Sequence, residues 1–363
     1  MMPFLRSLAL CVGLLCCGLA QAASVVFLNP GRSDEPFWRS YADFMQAAAD
    51  DLGMDLRIEF AERDKARMLD QARAILQGPE AQRPDYLVFV NEQYAAPEIL
   101  RLGQGSGVRL FTVNSTLTDE QRELTGGPRE RYSNWIGSLV PNDEEAGALM
   151  AEELIRQQRR LQPQGTIEML AFSGVKQTPA ARFREAGLRR VLAANPDVRL
   201  RQLVYAEWDR ERAFEQASQL LPRYPRVSLI WAANDEMAFG AMRAADALGP
   251  LVRGRLHVSA LNNSPEVLQA RIDGRVDVLV GGHFTLGGWA LVMLADYDAG
   301  LDFARYGGVD QHARLFTRLD VQQARRLLAH IRQPGYGVRF RDFGARGNPG
   351  FSGYRFSLAP LLD

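Results

Sequence analysis

The chain has 363 residues, long for one ordinary domain and enough for two. Its 43 basic and 43 acidic side chains cancel. That balance excludes the basic field of a nucleic-acid binder and the acidic run of a solvating tail.

In chain order, Arg6 opens a short positive region, Ser7 to Leu19 is apolar, and Ala20-Gln21-Ala22 has the form of a cleavage site. The apolar run is too short to span a bilayer. Residues 1–22 are therefore predicted to be a cleaved secretory signal peptide, with the mature protein outside the inner membrane. Cys11, Cys16 and Cys17, the only three cysteines, fall in that segment. The mature chain is thus expected to hold no disulfide, thiolate nucleophile or cysteine-bound metal.

Ser24 to Asn29 reads as a buried strand. Tyr41, Phe44, Met45, Ala48 and Leu52 recur at helical spacing over Phe37 to Leu52, and Gly53 stops that helix. Strands are predicted over 54–61, 85–91 and 108–114, with a helix from Lys65 to Leu76. This alternation predicts right-handed βαβ units and a parallel sheet. The polar stretch 116–135 is expected as a surface excursion. From Gln164 the order begins again, with strands at 165–172, 198–206, 227–234 and 256–262 and helices at 180–194, 210–221 and 236–248. The second set trails the first by roughly 140 residues, which reads as a duplicated half. Two open parallel sheets predict two lobes, with a cleft beyond the carboxyl ends of their strands. The stretch 333–363, rich in Gly, Arg and aromatics, reads as an irregular tail, either packed on the surface or offered to a partner.

The sequence has no phosphate loop, nucleophile elbow, zinc-protease helix or calcium loop. Its four histidines lack ligand spacing. No catalytic residue, metal ligand or cofactor is expected, and the chain reads as a binder rather than an enzyme. Phe37 and Trp38 stand out, because they follow the first strand at the rim of the predicted cleft. Two rings there can stack on the apolar face of a sugar, or serve as core and staple residues of the helix they begin. Ser33 or Asp34 is expected to cap that helix, with Pro36 in its first turn.

From Ser24 to about Leu315 the chain resembles the type I periplasmic solute-binding proteins of the ribose and galactose group. Five segments carry the resemblance in order: "EPFW" (35–38), "AARFREAG" (180–187), "AEWDRERA" (206–213), "AANDEMAFGA" (232–241) and "LNNSPEVLQARIDGRVDV" (261–278). The fold it implies is α/β, with two doubly wound parallel-sheet lobes joined by a three-crossing hinge. The implied lobes are 23–138 plus 283–312, and 139–282 plus 313–363 with the tail. Phe37, Trp38 and Trp208 become ring-stacking walls by this resemblance. Arg182 becomes a charge-assisted donor, and Asn234 an amide that both donates and accepts. Glu35 stands where the family often has Asn. Asn114 and Asn262 stand where ribose and galactose binders have Asp. His283, beside Gly282, is near the family's polar position after the next strand, and is otherwise a packing or hinge residue. Asp235 is expected to brace the following helix, outside the site.

Two missing carboxylates shift the expected ligand from a plain hexose toward a furanose, a polyol, a sugar acid or a signal molecule. "NPGRSDEPFW" and "VRLFTVNSTL" also resemble the periplasmic autoinducer-2 receptors. Arg182 matches one of their two ligand arginines, and Gly282 falls where the second should be. The implied partners are a small polyhydroxylated ligand and an inner-membrane ABC permease, with a membrane sensor protein as the alternative. The protein is expected to be periplasmic and monomeric, with no nucleic-acid partner.

Overall fold

The computed structural model describes residues 22–363; residues 1–21 of the predicted signal peptide lie outside that range. The first lobe runs β1 (Ser24–Asn29), α1 (Pro36–Leu52), β2 (Asp55–Phe60), α2 (Lys65–Gln77), β3 (Tyr86–Phe89), α3 (Ala96–Gly103), β4 (Arg109–Val113), α4 (Asp119–Thr125) and β5 (Trp135–Pro141). The second runs α5 (Asp143–Leu161), β6 (Ile167–Ser173), α6 (Pro179–Ala193), β7 (Val198–Tyr205), α7 (Arg210–Arg223), β8 (Leu229–Ala232), α8 (Asp235–Ala247), α9 (Pro250–Gly254), β9 (His257–Leu261), α10 (Pro265–Ile272) and β10 (Val278–Gly281). The chain then returns through α11 (Leu286–Asp298) and β11 (Asp310–Ala313) to the first lobe, and through β12 (Thr317–Leu319) and α12 (Val321–His330) to the second.

The two sheets have one topology, β2-β1-β3-β4-β5-β11 and β7-β6-β8-β9-β10-β12. Only β12 runs antiparallel to its neighbour. A parallel sheet is covered by helices on both faces, so its inner strands are apolar throughout. β3, β5, β6, β8 and β10 are accordingly buried at every residue. Strand order reverses at β1 and again at β6, which opens a crevice beyond the carboxyl ends of each sheet. The fold is the two-lobed, doubly wound architecture expected from the sequence. Among the described residues, no helix is long and apolar enough to cross a membrane.

The lobes are joined at Asn142, between Gly281 and Leu286, and between Ala313 and Thr317. β5 stays in the first sheet as far as Pro141, which pairs with Ala313, so the first lobe extends past Ser138. The 116–135 segment is more structured than a surface excursion. Thr118 closes a capping box on α4, Arg129 pairs with Asp302 at 2.6 Å, and Trp135 is fully buried.

The tail was expected with the second lobe; residues 336–356 pack on the first. Phe340 is fully buried, 5.1 Å from Phe44 and 5.6 Å from Trp289 between ring centroids. Phe356 stacks on Trp289 at 5.2 Å. The Asp296 carboxylate accepts hydrogen bonds from the Ala345 and Arg346 amides and the Tyr354 hydroxyl. α11 is apolar on nearly every side and needs this cover. The last turn crosses back to α12, where Arg326 donates to the Leu362 carbonyl at 2.7 Å. Phe340→Ala should therefore cost about 3–5 kcal/mol in urea unfolding. A chain ending at Arg332 should melt well below the full chain; equal melting temperatures would show that the tail contributes nothing to the core.

Candidate functional site

β1 ends at Asn29, whose side chain accepts from the Gly31 amide at 3.0 Å and donates to the Trp38 carbonyl at 3.2 Å. That brace seats the start of α1. The N-cap position is Glu35 rather than Ser33 or Asp34, and its side chain does not cap the helix. Its carboxylate instead accepts a bidentate pair of bonds from Arg63. Trp38 folds back over Gly31, where an added Cβ would lie 2.0 Å from the ring. In the second lobe Trp208 lies over Gly174 in the same way, again at 2.0 Å. Asn234 holds Trp208 as Asn29 holds Trp38, donating to its carbonyl at 3.2 Å, while it caps α8 at the Met237 amide.

These elements converge on a cavity between the lobes. Of the nine residues singled out in the sequence, Glu35, Phe37, Trp38, Asn114, Trp208, Asn234, Asn262 and His283 line it. Arg182 does not. It is exposed and reaches across the lobes to the Tyr94 hydroxyl at 3.0 Å and to Glu120 at 3.5 Å. The inward guanidinium is Arg184, two residues on, which faces the opposite side of a helix of 3.6 residues per turn. The sequence reading also missed Arg63, Glu92 and Thr178. Arg63 had a signal. "AERD" (61–64) repeats as "AEWD" (206–209), so Arg63 is the first-lobe counterpart of Trp208. The backbones agree, with positive φ at Glu62 and Arg63 and again at Glu207 and Trp208. Asp64 and Asp209 cap the helices that follow.

Charge in the wall is balanced. Arg63 bridges Glu35 and Glu92, the second at 3.2 Å. Arg184 is buried, bonded to Asp143 at 2.7 Å and to the Ala233 carbonyl at 2.8 Å. Burial raises the Glu92 carboxyl above the usual range, with Arg63 opposing. Glu92 also accepts from the Thr178 hydroxyl at 3.0 Å, a bond that joins the lobes. Asp235 lies behind the wall, accepting from Asn262 at 2.7 Å and Ser264 at 2.6 Å. Burial pushes its pKa up to about 7.

Several polar atoms of the lining residues have no partner. Trp38 Nε1, Trp208 Nε1, Asn114 Oδ1 and His283 Nδ1 are buried and unbonded. Buried polar groups are nearly always paired, so these donors and acceptors are set for something that enters. His283 stacks on Phe37 at 4.5 Å, and its Nε2 lies 3.4 Å from Arg184. Burial, and then the Arg184 charge, hold its pKa well below the usual value. Gly282 beside it has φ +124, and a Cβ there would lie 2.1 Å from the Leu315 carbonyl. No side chain can stand at that position. The cavity is small, about 40 Å³, room for a few waters. The lobes are closed upon each other.

Two duplicated lobes that meet over such a cavity are the architecture of a two-lobed binding protein. A family model described as a periplasmic binding protein domain matches residues 25–300, and the chain belongs to that family. It is 56% identical to a periplasmic sugar-binding protein from Pseudomonas fluorescens, with a TM-score of 0.86 over 94% of this chain and 100% of that one. The ribose import binding protein of Escherichia coli (strain K12) is 24% identical over 259 residues, 71% of this chain and 78% of the relative. An ABC transporter solute binding protein from Actinobacillus succinogenes 130z, with bound D-allose, shares the fold at a TM-score of 0.71 and 16% identity, over 84% of this chain and 99% of that one.

Two of the buried titrating groups, His283 and Asp235, pull in opposite directions. A depressed His283 pKa gives stability that is present above the ordinary value of 6.5 and lost as pH falls below it. A raised Asp235 pKa gives stability that is lost as pH rises toward about 7. The difference in unfolding free energy between the wild type and His283→Gln cancels the second. That difference should move against the wild type from pH 7 to pH 5, by up to about 1.4 kcal/mol per pH unit. A flat difference would mean that His283 is not held neutral. Gly174→Ala should displace Trp208 and weaken ligand binding, at a cost of about 1–3 kcal/mol in urea unfolding, as calorimetry and denaturation together would show.

Proposed function

We propose that the protein is a periplasmic receptor for a small, neutral, polyhydroxylated ligand, which it carries to an inner-membrane ABC permease. The observation that carries this reading is the pair of indoles, Trp38 and Trp208, seated on glycines in opposite lobes around unpaired polar atoms. Indole rings supply the apolar faces that sugar rings stack on, and the free donors and acceptors suit hydroxyls. Glu35, Phe37, Asn114, Asn234, Asn262 and His283 complete the proposed contacts. Arg184 takes the place first given to Arg182. Binding without turnover is part of the proposal, as is delivery to the periplasm by the predicted signal peptide. The likeness to a sugar-binding protein and to a ribose import binding protein supports both the sugar and the import step.

Charge balance narrows the ligand. Both guanidiniums of the wall are already paired with carboxylates. A sugar acid or a borate diester would find no free cation, so neutral pentoses, hexoses, furanoses and polyols are the candidates. The sensor alternative drew on the likeness to autoinducer-2 receptors and on Arg182. With that arginine outside the cavity, no observation favours it.

A thermal-shift screen tests the reading. A neutral saccharide or polyol at ~100 times its Kd should add about 2.7 kcal/mol to stability, while sugar acids and autoinducer-2 leave the melt unchanged. Hits confined to acids or to autoinducer-2 would overturn the neutral-ligand assignment. Trp38→Ala should cost the hit on the order of 2 kcal/mol of affinity by calorimetry.

A further inference from the structure

A second and larger chamber, about 380 Å³, lies against the first cavity. Its size falls in the ordinary range for small-molecule sites. Asn114 lines both spaces, and its backbone, at φ 63, turns there at the end of β4. The chamber spans the two lobes. Ser115 and Leu117 face it from the first, and Pro179 and Phe183 from the start of α6 in the second. The first hinge crossing runs along it at Asn142, and His312 of β11 lines it just before the third.

Three features point to a ligand. Phe183 is 49% exposed, one of few large apolar side chains among the described residues left so bare, and it belongs to the chamber lining. The Ser115 hydroxyl and Asn114 Oδ1 are buried without partners, in residues that are themselves more than nine-tenths buried. The one guanidinium among the lining residues, Arg122, is held by Asp310 at 2.7 Å. An open aromatic face, free hydroxyl-type partners and no spare cation are the chemistry of a second uncharged sugar ring.

We propose that this chamber is a second subsite and that the ligand is a disaccharide or other glycoside rather than a free monosaccharide. The inference rests on the sugar-binding reading and deepens it. One ring occupies the space between Trp38 and Trp208, the glycosidic bond passes Asn114, and the second unit lies on Phe183 with Ser115 bonding a hydroxyl.

The test is calorimetry on the purified protein with two arms. One arm holds xylose, ribose, arabinose, galactose, glucose, fructose and allose; the other holds xylobiose, lactose, maltose, melibiose and sucrose. At least one disaccharide should bind tenfold or more tighter than either of its component sugars. Phe183→Ala should remove that advantage and leave monosaccharide affinity unchanged, and Ser115→Ala, a smaller change, should reduce it. Monosaccharides that bind as tightly as every disaccharide would overturn the subsite and leave the sugar reading standing. A disaccharide advantage untouched by both variants would also overturn it. Failure of every saccharide to bind would remove the sugar reading and the subsite together.

Discussion

Arg63 sits between two buried carboxylates, and the closed arrangement of the lobes depends on it. Glu35 comes from the turn before α1 and Glu92 from the turn after β3. Buried charges of one sign repel and are poorly solvated, so without the guanidinium neither turn could hold its carboxylate there. Glu92, once fixed, accepts the Thr178 hydroxyl from the opposite lobe. One cation thus sets the first-lobe wall and the bond that draws the second lobe onto it. The second lobe does the matching work with Arg184, which ties Asp143 to the Ala233 carbonyl beneath Trp208.

The duplication has diverged where the ligand would sit. The strand order is the same in both halves, and the turns after β2 and β7 share sequence, backbone and cap. Yet the residue aimed inward is a guanidinium in one and an indole in the other. The lobes therefore differ in chemistry at a point where their backbones are alike. At that turn the first lobe presents a guanidinium paired with two carboxylates, and the second an indole.

Most of the fold is legible in the sequence. Apolar runs gave the inner strands, because a parallel sheet needs both faces apolar. Trp38 was legible because it follows the carboxyl end of a strand, where such folds place ligands; Trp208 and Asn234 were legible only through the family resemblance of their segments. Arg182 and Arg184 were separable in principle. Ala180, Ala181, Arg184, Glu185 and Leu188 form the inward stripe of α6, and Arg182 lies off it. The family pattern points to Arg182, and the periodicity of α6 points to Arg184. Arg63 was visible only through comparison of the two halves. Glu92 and Thr178 carry no local signal, since their meeting depends on how the lobes close. The tail misled for a related reason: its aromatics answer an apolar helix, α11, far from them in the sequence.

The path of that tail changes what opening the cleft would involve. After α12 the chain leaves the second lobe, lies across α1 and α11 of the first, and returns to meet Arg326. Two lobes held by three linkers can swing and twist in many relative poses. Two further passages of backbone, anchored in a core at one end and a helix at the other, remove most of those poses. The unliganded ensemble is then narrower, and less conformational entropy is surrendered when a ligand is enclosed.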